Sequence, residues 1–187
     1  DTKLFMVENV ATKYSGGGAG LIKAVFSISS GAAVLCERNS AASNGGCLHV
    51  QGKSELHVNG ADTKFLVHDN TADNGGGGLY FTLQSSATIS DGAVVKIARN
   101  SALLDGGGLT YEDQSSIKVS GSGTKLIVEQ NTATISGGGI YGKTRASFVV
   151  DSSALLEVKN NFAEQHGGGI GLTGQGTFLN VIDKHSQ

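Results

Sequence analysis

The segment NTATISGGGIY, residues 131–141, carries the pattern that decides the fold: an asparagine, an alanine two residues later, three glycines and an aliphatic residue. Outward from this segment, the asparagine recurs at intervals of 30 or 31 residues, each time with an alanine two residues on. Self-similarity at a fixed period of roughly 20–50 residues is typical of a solenoid or a repeat array. The repeating asparagines are Asn9, Asn39, Asn70, Asn100, Asn131 and Asn161.

Apolar residues alternate with polar ones in three stretches of each repeat, as half-buried β-strands require. In the fifth copy the first stretch holds Leu126 and Val128, and the second opens at Ile140, just past the glycines. The third stretch places apolar residues seventeen and nineteen positions after the asparagine. These third-strand residues are Phe26 and Ile28, Leu56 and Val58, Ala87 and Ile89, Ile117 and Val119, Phe148 and Val150, and in the last copy Phe178 alone.

Three short strands per repeat, with no helical period between them, predict an all-β fold: a right-handed parallel β-helix of six coils, each of 30–31 residues. A β-propeller would need repeats of about 40–50 residues and antiparallel strands. The 187 residues fit one domain, residues 1–187. The opening residues Asp1, Thr2 and Lys3 are strand-like and form no signal peptide, so the chain is expected to be a mature form or a part of a longer extracellular polypeptide.

The regular asparagines are interpreted as scaffold. A side-chain amide at the same turn of every coil can donate to the asparagine carbonyl of the next coil, which forms a ladder. The residue before each asparagine reads Glu8, Arg38, Asp69 and Arg99 in the first four copies, so stacked coils would place opposite charges side by side. Cys36 fills an apolar slot and Cys47 replaces a glycine. They are either two buried thiols or a disulfide, and a disulfide would imply an oxidising compartment.

Composition excludes several classes of function. The 14 basic and 16 acidic residues are balanced, without the basic excess of nucleic-acid binders. No apolar run approaches the roughly 20 residues of a membrane span. The triple glycines precede strands rather than helices and cannot form phosphate-binding loops, and no metal or cofactor site is expected.

No column of outward residues offers a catalytic constellation. The position ten residues after the asparagine includes His49, Tyr80 and Tyr141, which could form a shallow glycan-binding stripe or simply a polar strand face with aromatic residues. The adjacent acids Glu112 and Asp113 are expected to lie in a solvated loop. The sequence therefore predicts no catalytic residues.

The repeat around residues 131–141 resembles the repeats of the polymorphic outer membrane proteins of chlamydiae and of related secreted proteins of algae and other microbial eukaryotes. Those repeats pair Phe-x-x-Asn with Gly-Gly-Ala and an aliphatic residue. Here Met, Cys, Val or Ile replaces the phenylalanine, and a glycine replaces the alanine in most copies. The resemblance implies a right-handed β-helix displayed outside the cell, with an adhesive or structural role and no catalytic residues.

The leading functional hypothesis is a non-enzymatic, extracellular or cell-surface structural or adhesive module. Its partner would be another copy of the chain or another cell-surface protein, because the apolar ends lack polar caps and invite end-to-end association. Two alternatives stay open. One is a pectin-lyase-like carbohydrate-active enzyme, by analogy of fold alone, and the other is a non-catalytic glycan-binding module that uses His49, Tyr80 and Tyr141.

Overall fold

The computed structural model describes residues 2–183, which form a parallel β-helix of six coils built from four sheets. Each sheet takes one strand from every coil. Sheet 1 contains β1 (Lys3–Val7), β5 (Ala33–Glu37), β9 (Lys64–His68), β13 (Val94–Ala98), β17 (Lys125–Glu129) and β21 (Leu155–Lys159). Sheet 2 contains β2 (Val10–Ala11), β6 (Ser40–Ala41), β10 (Thr71–Ala72), β14 (Ser101–Ala102), β18 (Thr132–Ala133) and β22 (Phe162–Ala163).

The other two sheets follow the glycine turn. Sheet 3 contains β3 (Ala19–Ile22), β7 (Leu48–Gln51), β11 (Leu79–Phe81), β15 (Leu109–Tyr111), β19 (Ile140–Lys143) and β23 (Ile170–Thr173). Sheet 4 contains β4 (Val25–Ile28), β8 (Glu55–Asn59), β12 (Ser86–Ser90), β16 (Ser116–Ser120), β20 (Ser147–Asp151) and β24 (Phe178–Ile182). Every pairing between named strands is parallel and joins one coil to the next.

The predicted all-β parallel β-helix of six coils is confirmed. Its right-handedness stays a prediction, based on the usual preference for right-handed crossovers. The core lies inside the coils, where residues of equivalent position stack. In sheet 1, Val95 lies between Phe65 and Leu126 in the paired strands, and all three side chains are buried. Tyr111 is fully buried and meets the Phe148 ring edge-on, with 5.6 Å between the ring centroids. Among residues 2–183, no helix is long and apolar enough to cross a membrane.

The prediction of three strands per coil was wrong, because each coil has four. The additional strand has only two residues, directly after the asparagine, and holds the recurring alanine. An alternation with a period of two cannot be recognised in a strand of two residues. The register of Phe178 was also wrong: Leu179 pairs with Phe148, because the turn at residues 174–176 contains one residue more than its counterpart in the fifth coil.

The sharp corner before each asparagine is made by the preceding residue. Glu8, Arg38, Asp69, Arg99, Gln130 and Asn160 all have positive φ, between 52° and 59°. The left-handed conformation therefore falls on the residue before the asparagine, and the asparagine itself stays free to use its side chain in the ladder. The corner also directs the side chain of the preceding residue outward.

Candidate functional site

The six asparagines form one continuous chain of amide hydrogen bonds along the helix. The Asn100 carbonyl Oδ1 accepts from the backbone N–H of Asn70 at 3.0 Å and from its Nδ2 at 2.9 Å. Asn100 Nδ2 donates to Asn131 Oδ1 at 2.9 Å and to the Val67 carbonyl at 3.1 Å. All the hydrogen-bonding capacity of this buried amide is thus used within the protein. The four inner asparagines, Asn39, Asn70, Asn100 and Asn131, are therefore scaffold and leave no side-chain group for a ligand.

The charged column beside the ladder is paired between coils. Arg38 Nε lies 2.9 Å from Glu8 Oε1, and Arg99 Nη2 lies 2.8 Å from Asp69 Oδ2. Hydrogen bonding from Arg99 lowers the pKa of Asp69 below its ordinary value. These side chains are substantially exposed and screened by solvent, so the pairs add little to stability, and the column serves mainly to fix the register of the coils.

Cys36 and Cys47 are joined by a disulfide, with 5.9 Å between their Cα atoms. Both residues are completely buried. Cys36 lies in strand β5, and Cys47 occupies the place that the third glycine of the turn holds in the other coils. The bridge therefore ties sheet 1 to the start of sheet 3 inside the second coil.

His49, Tyr80 and Tyr141 lie in one column of sheet 3, with Thr110 between the two tyrosines. Tyr80 is only 7% exposed, its ring lies 5.4 Å from the His49 ring, and its hydroxyl donates to Glu112 Oε1. Burial lowers the pKa of His49 to about 4 and raises that of Tyr80. A glycan-binding role of the His49, Tyr80 and Tyr141 stripe stays a prediction. Most of the Tyr80 ring is already covered within the protein, which leaves little of it for a sugar ring to contact.

Glu112 does not lie in a solvated loop, so this expectation was wrong. Its side chain is buried, accepts the Tyr80 hydroxyl hydrogen bond, and has Lys143 Nζ 2.8 Å from Oε2. Asp113 is half-buried and accepts a hydrogen bond from Thr82 Oγ1 at 3.0 Å. Stacking explains the difference, because Thr82, Glu112 and Lys143 occupy the same position in three successive coils.

A cleft of about 260 Å³ lies beside this network, on the outer side of sheet 3 next to the glycine turn. It is lined by Asn44, Asn74, Gly75, Tyr80, Leu104, Asp105, Thr110 and Lys143. Burial raises the pKa of Asp105 above its ordinary value, although Lys143 and Ser136 oppose the shift. One carboxylate oxygen of Asp105, Oδ1, is buried without a hydrogen-bond partner.

Within residues 2–183, the carboxylates of Glu37 and Asp69 and the His68 ring approach closely enough to hold a metal ion. Two arginines already occupy this group. Arg38 Nη1 pairs with Glu37, and Arg99 Nη2 contacts both Asp69 Oδ2 and His68 Nδ1. A cation would have to displace both guanidinium groups, so the cluster is an ion-pair network between coils.

Comparison with known proteins gives one family. Residues 125–143 match the Chlamydia polymorphic membrane protein repeat. The match runs from strand β17 through the asparagine corner and the glycine turn to strand β19, so the polymorphic membrane protein repeat corresponds to the part of a coil that carries the ladder and the glycines. It confirms the resemblance drawn from the sequence. Neither a curated protein nor a solved structure gave a significant match.

The outward column of His49, Tyr80 and Tyr141 does not by itself predict the cleft. Its polar side chains come from different positions of the repeat: Asp105 precedes the glycine run, Tyr80 lies in sheet 3, and Lys143 ends strand β19, where it pairs with Glu112 beside the cleft. The signal available in the sequence was an acid followed by a lysine in the next copy, twelve residues after the asparagine.

Proposed function

We propose that this chain is a non-enzymatic, cell-surface or extracellular β-helix module with a structural or adhesive role. The observation that carries the proposal is the polymorphic membrane protein repeat at residues 125–143, within a solenoid whose asparagine and glycine columns are used for folding. The name of that family, a membrane protein of Chlamydia, supports a surface location. The buried disulfide fits an oxidising compartment.

The two end faces favour a structural role, because apolar residues there are exposed while their equivalents in inner coils are buried. Leu4 is 42% exposed, whereas Val34, its partner in the next coil, is 5% exposed. Val181 is 71% exposed, whereas its partner Val150 is 1% exposed. Uncovered apolar surface of this extent is typical of an interaction site. We propose that a further coil covers each face and that a second copy can supply it.

In the part of the chain that the structure describes, the asparagine ladder ends in an unpaired acceptor at one face and in an unpaired donor at the other. Within residues 2–183, Asn9 Oδ1 accepts no hydrogen bond and the Asn161 backbone N–H donates none. A second copy stacked in register would bring these groups together, as at every junction between coils. The same register would place Leu156 against Leu4, and Val158 against Met6. Such a head-to-tail contact does not close on itself, so it would produce filaments.

Light scattering after size-exclusion chromatography over a wide concentration range tests this proposal. We expect a mass that rises in multiples of 19.0 kDa. The variant Val181→Lys, which charges the C-terminal face, should remain monomeric. Its matched control is Leu83→Lys, because Leu83 is 53% exposed on a side of the helix. A constant monomer in the unmodified chain, or equal effects of the two lysines, would rule out stacking through the end faces.

An assay for reducing ends released from polygalacturonate tests the enzymatic alternative. A non-enzymatic module releases none. Release that disappears in Lys143→Ala would instead assign the cleft to catalysis and overturn the proposal.

A further inference from the structure

In the cleft beside Tyr80, polar groups of different kinds converge without all being used within the fold. We propose that the cleft binds one residue of a neutral glycan, with Asp105, Asn74 and Lys143 as its hydrogen-bonding groups. This inference gives the adhesive role a ligand and rests on the proposed function.

The shape of the cleft comes from one missing side chain. The column that precedes the glycine turn reads Ser15, Asn44, Gly75, Asp105, Ser136 and His166 through the six coils. Gly75 is its only glycine, and a Cβ atom there would lie 3.2 Å from Tyr80 Cε2 and 3.2 Å from the Asp105 carbonyl oxygen. The absent side chain leaves a depression between Asn44 and Asp105. Its volume of about 260 Å³ is just below the usual range of about 300–1,000 Å³ for ligand pockets, so it suits one small unit of a larger ligand.

The groups around the depression match a sugar, whose hydroxyl groups both donate and accept hydrogen bonds. Asp105 supplies an acceptor, and Lys143, about one-third exposed, supplies donors. Asn74 is exposed and uses its Nδ2 on Ser43 Oγ at 3.1 Å, which leaves its carbonyl oxygen as an acceptor. Thr110 Oγ1 donates to the Asp105 carbonyl at 3.3 Å and can still accept.

Exposed leucines supply the apolar part of the site. Leu104 lines the cleft and is 42% exposed, and the neighbouring Leu103 is 58% exposed. The residues equivalent to Leu103 in the adjacent coils are Asp73 and Thr134, so neither adjacent coil has an apolar side chain at this position. The C–H face of a sugar ring can pack on such a surface while its hydroxyl groups reach the polar wall.

The charges around the cleft favour a neutral sugar over an acidic one. The Lys143 ammonium is already paired with Glu112 at 2.8 Å, and Asp105 and Asp113 add further negative charge nearby. A uronic acid, a sulfated sugar or a phosphate would meet two carboxylates without an unpaired cation.

Isothermal titration calorimetry with the full chain tests the site. The probes are neutral oligosaccharides of glucose, mannose, galactose and N-acetylglucosamine, with oligogalacturonates and heparin fragments as the acidic set. We expect binding of at least one neutral oligosaccharide at millimolar concentration or below. Asp105→Asn and Asn74→Ala should each weaken it about tenfold. The matched controls Asp62→Asn and Asn59→Ala change the same residue types at exposed positions outside the cleft and should leave the affinity unchanged.

Three results would overturn this inference: no binding of any neutral probe, preference for the acidic set, or neutral binding that survives both cleft variants. Failure here is separable from failure of the proposed function. A chain that forms filaments but binds no sugar loses only the glycan site. A chain that binds a sugar through Asp105 but stays monomeric loses only the stacking of the end faces.

Discussion

At the scale of single residues, each inner asparagine connects three coils. Asn100 receives two hydrogen bonds from Asn70, donates to Asn131 and reaches back to the Val67 carbonyl. A buried amide with every group paired contributes to stability, and the same amide with groups unpaired is costly. The ladder therefore fixes the register between coils, since a coil shifted by one residue would leave several buried polar groups without partners.

Replacement of Asn100 by alanine should be severely destabilising. The Asn70 backbone N–H and side-chain amide would lose their acceptor, and each unsatisfied group costs about 1–3 kcal/mol, so we expect a loss of at least about 3 kcal/mol. Asn9→Ala is the matched control, because exposed Asn9 only donates to Asn39 Oδ1, and it should cost less than about 1 kcal/mol. Urea unfolding followed by circular dichroism measures both, and equal losses would contradict the ladder as a stabilising element.

His49 should make stability depend on pH. Burial depresses its pKa from 6.5 to about 4, so the unfolded chain takes up a proton at a higher pH than the folded one. The stability due to neutral His49 is therefore complete above about pH 6.5 and is lost as the pH falls towards about 4. The partly exposed ring limits the loss to on the order of 1–2 kcal/mol.

Comparison with His49→Gln isolates this effect from the carboxylates that also titrate in acid. The difference in unfolding free energy between the two proteins should shrink as the pH is lowered from neutral to about 4.5. A difference that is constant over this range would show that His49 titrates normally.

At the scale of elements, the glycine turn is where successive coils approach most closely. Gly107 lies so near the next coil that an added Cβ would be 2.3 Å from the Thr132 carbonyl oxygen and 2.5 Å from that of Gly138. The equivalent middle glycines Gly46, Gly77 and Gly138 have similar approaches to backbone oxygens. The glycine preceding each of them has positive φ, between 57° and 76° in the six coils. The first glycine of the run is thus required by its backbone conformation, and the middle glycine by the lack of space for a Cβ atom.

Gly107→Ala should separate the fourth and fifth coils at this turn, because backbone atoms cannot yield as a flexible side chain can. We expect a loss of about 4 kcal/mol or more. Gly20→Ala is the matched control: an added Cβ there meets nothing within 4 Å, and we expect a change within about 1 kcal/mol. Thermal unfolding of both variants provides the measurement, and a tolerated alanine at position 107 would contradict the steric argument.

At the scale of the whole molecule, stability passes from coil to coil, because every strand pairing joins neighbouring coils. Inner coils are covered on both sides, whereas the sixth coil leaves Phe162 56% exposed and Leu172 45% exposed. Local opening should therefore start at the ends.

Hydrogen exchange should show this gradient. In dilute protein, the amides of β13 and β17 should exchange at least about tenfold more slowly than those of β21 and β23, since an end coil can open without the rest. At high concentration, protection of the end coils should rise if copies stack on them. Uniform protection in dilute protein would indicate a single cooperative unit with covered ends.

The sequence by itself determined the period, the number of coils, the inward columns and the asparagine positions. Each of these depends on residues that lie close together in the chain and recur regularly. The two-residue strands were not visible because they are shorter than the alternation that reveals a strand.

Only the tertiary structure decided the disulfide and the cleft. The eleven residues between Cys36 and Cys47 allow a bridge but do not fix the directions of the side chains, and the coil brings their Cα atoms to 5.9 Å. Tyr80, Asp105 and Lys143 come from three coils and from different positions of the repeat, so no local pattern relates them. Their proximity follows from parallel stacking, which turns a separation of about one repeat in sequence into contact between neighbouring strands, about 4.8 Å apart.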